Sequence, residues 1–247
     1  MSDIQIVKLD QGGANARIIA RETKADFRRV EAASLKVPSR FTSADGKRLF
    51  VRMFNSLQLN VHFISVIART RLDHDDITRV EVAIRKQMET VSENLNKAID
   101  GAEALFKVNG ITHAATYDTV PLDLQVGVLS SSGRRFLEAL GKLDQLMPLL
   151  QTLEIHEVIS AQQVDVQRAA LKRQVREVAN AARNFATGLR RRMNALGGWD
   201  GVDGAAGADA AEVAAEEGSP IGEAVLGVAQ EAALGAVVHG EAAQVGG

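Results

Sequence analysis

The sequence predicts a mainly helical protein with one short β ribbon: a helical hairpin, then a strand–helix–helix unit, then an acidic tail. Three observations carry this. The run PLDLQVGV at 121–128 alternates apolar and polar residues, whereas the segments from 134 to 196 place apolar residues every three or four positions. A period of two marks a half-buried strand and a period near 3.6 an amphipathic helix. The second observation is the same helical period over 47–107. The third is composition beyond Leu196, which is Gly/Ala-rich and acidic with little apolar surface to bury.

Taken in order, residues 1–46 form an N-terminal extension. DIQIVKL suggests a short strand, and Asn15–Ala33 a helix using Ile18, Ile19, Phe27 and Val30. Val37-Pro38-Ser39 is expected to break whatever precedes it, because proline restricts the residue before it. Asp45 is a candidate cap for the next helix. Residues 47–110 predict a helical hairpin. Its first arm runs to about Arg71 on Leu49, Met53, Leu57, Ile64 and Ala68, with Phe50, Phe54, Val61 and Ile67 widening the stripe. LNVHFISVI at 59–67 is β-branched enough to be a strand, but its helical flanks favour helix. Asp75 or Asp76 offers a cap for the second arm, Ile77 to about Lys107, which Asn109-Gly110 stops.

Residues 111–196 hold the strand–helix–helix unit. Leu122, Leu124, Val126 and Val128 face one way, and Asp123, Gln125 and Gly127 the other. The first helix spans 134–155, with Leu140 and Leu143 in its apolar face, and the second roughly Ala161–Leu196. Leu171, Val175, Val178, Ala182, Phe185, Leu189 and Leu196 form a heptad-like stripe that wants a helical partner, from this chain or a second one. Asp144, inside the leucine-rich face, is expected to pair with an arginine or lie at a subunit contact. Residues 197–247 are expected to be a disordered tail, with a weak alanine-rich helix at Ile221–Val238. No convincing internal repeat is visible, although two helical pairs in succession suggest one.

Composition limits the chemistry. The chain lacks cysteine, which excludes disulfides, thiolate metal ligands and cysteine nucleophiles. Its five histidines are scattered, with His62 beside an apolar face, and none has metal-ligand spacing. Neither a phosphate-binding glycine loop nor a nucleophile motif occurs. We expect no enzyme, no cofactor, no metal and no membrane segment, and a cytoplasmic location. Charge is divided: all 29 Lys and Arg precede Leu196, against 22 acids, a net of +7, while nine acids and no cation follow it. That balance points to a polyanionic partner, or simply to a solubilising tail.

Duplex DNA is the partner this pattern fits best. A two-stranded antiparallel ribbon, one strand from each of two chains, fits a major groove, and alternate residues then face the bases. On this reading Asp123 and Gln125 contact bases. Ser131, Ser132, Arg134, Arg135, Arg168, Lys172, Arg173 and Arg176 contact the DNA backbone, by helix-terminal N–H groups or by charge. Leu122, Leu124, Val126, Leu140, Leu143, Leu171, Val175, Val178 and Phe185 form the dimer and core. Alternatively, the strand is an edge strand packed on the helices and the arginines are solvated. The serines then simply cap a helix.

PLDLQVGV, the small-polar turn, GRRFLEALGKLDQLMPLLQTLEI with Asp144 in its leucine-rich face, and the basic helix ending in LRRRM carry a further signal. Together they resemble the AcaB-like transcriptional regulator family of conjugative plasmids and integrating conjugative elements. The resemblance covers Tyr117–Arg192, with a weaker extension back to about Arg48. It implies a ribbon-helix-helix DNA-binding regulator of transfer genes on mobile DNA, as activator or repressor. It also implies a homodimer with a possible protein partner in transcription or transfer control. The chain departs from ordinary modules of this kind in its longer helices, less basic ribbon and acidic tail. The competing reading is a non-enzymatic helical structural or interaction protein of a conjugative element.

Overall fold

In the computed structural model the described residues are Gly13, 15–19 and 32–195. The expected strand at 1–11, most of the helix expected over Asn15–Ala33, Leu196 and everything expected of 197–247 lie outside them.

The first strand, β1 (Leu35–Phe41), runs through the segment where Val37-Pro38-Ser39 had been expected to break the chain. The restriction proline imposes favours extended backbone, and an edge strand tolerates its missing N–H. Phe41 is buried with its ring tilted against Phe50 at 5.0 Å between centroids, and Phe50 stacks on Phe54 at 5.4 Å. The chain then turns into α1 (Ala44–Leu49), a π-helical turn Phe50–Phe54, α2 (Asn55–His62), a second π turn Phe63–Ile67 and a 3₁₀ turn Ala68–Thr70. Backbone at each junction stays helical, so 44–70 is one continuous rod and LNVHFISVI is helix. After a short turn comes α3 (His74–Val108), capped by Asp73, not by Asp75 or Asp76, which occupy its first turn. An extended loop leads to β2 (Leu122–Val128), α4 (Ser131–Ile155) and α5 (Ala161–Ala195).

β2 pairs antiparallel with β1 of the same chain, from Leu35↔Val128 through Pro38↔Gln125 to Phe41↔Leu122. The ribbon is therefore built within one chain, not from one strand of each of two. The stripe on α5 finds its partner internally as well. Leu171, Val175 and Val178 are buried in a single core shared by every element, with Leu122, Val126, Leu140 and Leu143; Leu124 and Phe185 are half-buried against it.

This arrangement contains the repeat that residue identities concealed. Elements of the second half begin 87 positions after their counterparts: 35 and 122, 44 and 131, 74 and 161. The strands are both 7 residues long, and α3 and α5 both 35. Buried Ile77, Ile84, Met88, Val91, Leu95, Ile99 and Ala102 of α3 correspond one for one to buried Val164, Leu171, Val175, Val178, Ala182, Ala186 and Leu189 of α5. The packing is exchanged between halves: α3 lies on α4, and α5 on the 50–70 rod. Each half thus completes its core with the other's last helix.

Candidate nucleic-acid interface

Alternation along both strands gives the ribbon an inner and an outer face. Phe41, Leu122, Val126 and Val128 are buried on the inner face, and Val37, Ser39 and Leu124 are half-buried beside them. Outward stand Lys36, Pro38 and Arg40 from β1, across from Gly127, Gln125 and Asp123. Asp123 and Gln125 are exposed as the alternation predicts. Lys36 and Arg40 were missed, because Pro38 disguised their strand. The signal lay in Leu35, Val37 and Phe41 standing two or four apart. Arg40 Nε lies 3.8 Å from Asp123 Oδ1, with both side chains more than 60% exposed (62% and 64%). So loose and wet a pair contributes little and leaves the guanidinium available.

Both ends of the ribbon are tied down in the same way. β1 and β2 each leave through a Ser-x-x-Gly turn, 43–46 and 130–133. Ser43 Oγ accepts from the Gly46 N–H at 2.9 Å, and Ser130 Oγ from the Gly133 N–H at 3.1 Å. The caps are therefore Ser43 and Ser130, not Asp45 and not Ser131 or Ser132. The reason is positional: an N-cap oxygen bonds the N–H two or three residues on, and only these serines sit before the first helical residue.

A buried polar side chain grips each exit. Asp144 Oδ2 accepts from the Thr42 N–H at 2.8 Å and the Thr42 hydroxyl at 3.0 Å, while Oδ1 accepts from the Ser43 N–H at 2.8 Å and its hydroxyl at 2.6 Å. The expectation of an arginine partner or subunit contact for Asp144 is thereby corrected. Its charge is met by four donors at a helix N-terminus, which substitute for a cation. At the opposite end Gln58, fully buried, donates to the Gly127 carbonyl at 3.0 Å and accepts from the Leu129 N–H at 2.9 Å. The two clamps are 86 positions apart, one short of the repeat. A π turn holds one more residue than an α turn, and Phe50–Phe54 supplies that shift. Glycine is required at both places: a Cβ on Gly46 would overlap the Asp144 carboxylate, and one on Gly133 would sit 2.9 Å from Gln58 Oε1.

The expected phosphate ligands fall into two groups. Ser131 is exposed and Ser132 half-buried in the first turn of α4, followed by exposed Arg134 and Arg135. Arg134 pairs with Glu138 at 3.5 Å, and Arg135 reaches Glu89 of α3 at 2.9 Å. Ala33, Leu35, Val128, Leu129, Ser130, Ser131 and Arg134 line an open depression where this turn meets the ribbon. On α5, Arg168 and Lys172 converge on Asp45 in the first turn of α1, at 2.9 and 3.2 Å. Burial alone would raise the Asp45 pKa, but the Arg168 hydrogen bond and the charge of Lys172 outweigh it and hold the carboxyl below its usual range. Arg173 pairs with Glu177 at 3.6 Å, and Arg176 is half-buried. Arg190 stacks 4.3 Å over the Phe63 ring, and Arg192 bonds Asp76 at 2.6 Å. The acids that α5 lacks thus come from elsewhere in the fold, which no count along one segment reveals.

His62 is half-buried, and burial lowers its pKa. Among the described residues no three His, Asp or Glu side chains gather as metal ligands, and no helix is long and apolar enough to cross a membrane.

No protein-family model and no curated protein matches the chain. Among solved structures, selenomethionine-containing AcaB from uropathogenic E. coli matches with a TM-score of 0.62 at 23% identity, over 67% of this chain and 86% of that one. The resemblance first drawn from PLDLQVGV and the helices after it therefore holds at the level of architecture: this chain has the fold of AcaB.

Proposed function

We propose that the chain is a sequence-specific DNA-binding regulator of transcription, acting on transfer genes of a mobile element, with the outer face of the ribbon as its reading surface. The observation that carries this is the two-stranded antiparallel ribbon presenting Lys36, Arg40 and Gln125 outward from a helical body. A major groove admits such a ribbon, arginine and lysine suit guanine, and a glutamine amide suits adenine. Asp123 accepts from cytosine or orients Arg40. Backbone contacts come from Ser131, Ser132, Arg134 and Arg135 beside the ribbon. Arg168, Lys172, Arg173 and Arg176 act further along, the first two by exchanging Asp45 for phosphate. The fold shared with AcaB and the +7 balance of residues before Leu196 support the same reading.

The test is duplex binding by the full chain at several salt concentrations. Affinity should fall steeply with salt, and Gln125→Ala should change sequence preference more than overall affinity. Equal binding to every duplex, untouched by Gln125→Ala, would remove the base-reading role. Absence of any duplex binding by the folded chain at low salt would favour a protein-partner role for the same cations.

A further inference from the structure

We infer that one chain is a complete ribbon unit, the covalent counterpart of two paired subunits, and that it reads a DNA site lacking two-fold symmetry. The inference rests on the DNA-binding reading above, and replaces the homodimer expected from the sequence.

The spacing of 87 residues maps strand on strand, cap on cap and last helix on last helix. Antiparallel pairing centred on Pro38↔Gln125 places the two halves as two subunits would be placed across a two-fold axis. Their last helices are exchanged, α3 onto α4 and α5 onto the 50–70 rod, so neither half has a finished core alone. In a two-chain ribbon that exchange is what makes the dimer obligate. Here the loop between α3 and β2 makes the exchange intramolecular, and a second copy has no missing strand or helix to supply.

Fusion also frees the halves to diverge, and the outer face shows that they have. Equivalent outward positions hold Lys36 and Asp123, Pro38 and Gln125, Arg40 and Gly127. Among the described residues of the two strands, the positive charge of this face stands on β1, and β2 offers an amide, a carboxylate and a glycine. Two identical strands would present the same donors to each half of a palindrome. Antiparallel pairing instead puts Lys36 with Gly127 at one end of the ribbon and Arg40 with Asp123 at the other, so the two halves of a site meet different side chains and the sequences they select differ.

Two measurements on the full chain test this. First, thermal unfolding is followed over a wide range of protein concentration, alongside light scattering without DNA. The midpoint should not move and the mass should be that of one chain. A midpoint rising with concentration, as for an obligate dimer, overturns the inference. Second, sites are selected from a random duplex library, and native mass spectrometry of the shortest tight duplex counts the chains bound. One chain on a site without inverted symmetry is expected. Lys36→Ala should relax preference on one side of the site and Arg40→Ala on the other, and the two together should weaken binding by about tenfold or more. A palindromic site, two chains on the shortest duplex, or relaxation of both sides by either single variant overturns the inference. A chain that is monomeric in the first measurement but selects no duplex in the second removes the DNA reading and its recognition claim. The single-chain architecture would then stand on the unfolding data.

Discussion

Asp144 illustrates how misleading a residue can be when its neighbours are unknown. From sequence it is a carboxylate on an apolar helix face, and the nearest explanation is an opposing cation. In the fold it meets two backbone N–H groups and two hydroxyls, every one of them 101 or 102 positions away. Replacing it with alanine leaves those donors buried, so Asp144→Ala should lose about 3–5 kcal/mol of stability in chemical denaturation. An Asp144→Ala chain within 1 kcal/mol of the native one, as a rough bound, would show that water replaces the carboxylate. Asp45 differs because its partners are cations. Its folded pKa is lowered, so its contribution to stability is fully present above the unfolded value and is lost as pH falls through the folded one. Asp45→Asn should therefore cost about 1–2 kcal/mol near neutrality and flatten the acid limb of stability against pH. Unchanged acid unfolding would mean that Arg168 and Lys172 do not hold it in solution.

At the scale of the element, the helices were legible because amphipathicity is local. The stripe on α3 and the stripe on α5 needed no knowledge of what they face. The ribbon was half legible. β2 showed its alternation openly, whereas β1 hid behind Pro38 and three polar residues, Lys36 and Arg40 facing outward and Ser39 half-buried. Its identity as a strand comes from pairing with residues 81 to 93 positions further on, a hydrogen-bonding fact with no local signature. The candidate site was divided in the same way. Asp123 and Gln125 were found on β2, and the cations opposite them were not. This arrangement predicts opposite effects across one face. Removing Lys36 and Arg40 should reduce the salt slope of DNA binding by about 2, if each meets one phosphate or displaces one counterion. Asp123→Asn should raise affinity for unrelated duplexes, because it deletes a like charge to the phosphates, and lower affinity for the selected site, where the carboxylate accepts from cytosine or orients Arg40. A gain of affinity for the selected site as well would remove the base-contacting and orienting roles of the carboxylate.

For the whole molecule, charge is the property that sequence displays most plainly. Nine acids and no cation follow Leu196, while the core cluster closes within the described residues before it. Deleting 197–247 should leave the unfolding midpoint unchanged and tighten non-specific duplex binding at low salt, with the difference fading as salt rises. A lower midpoint would place part of the stability in that segment.

By itself the sequence determined which segments are helical, that β2 has two faces, and that cations and acids are divided along the chain. Each of these is a property of neighbours within a few turns. Tertiary structure alone decided that β2 pairs with β1, that α5's stripe is covered from within, and that the two halves repeat. The physical reason is that packing preserves burial and not identity. Isoleucine, valine, leucine and alanine exchange at matched positions of α3 and α5 without disturbing the core, so the repeat survives in the pattern of buried positions after it has vanished from the letters.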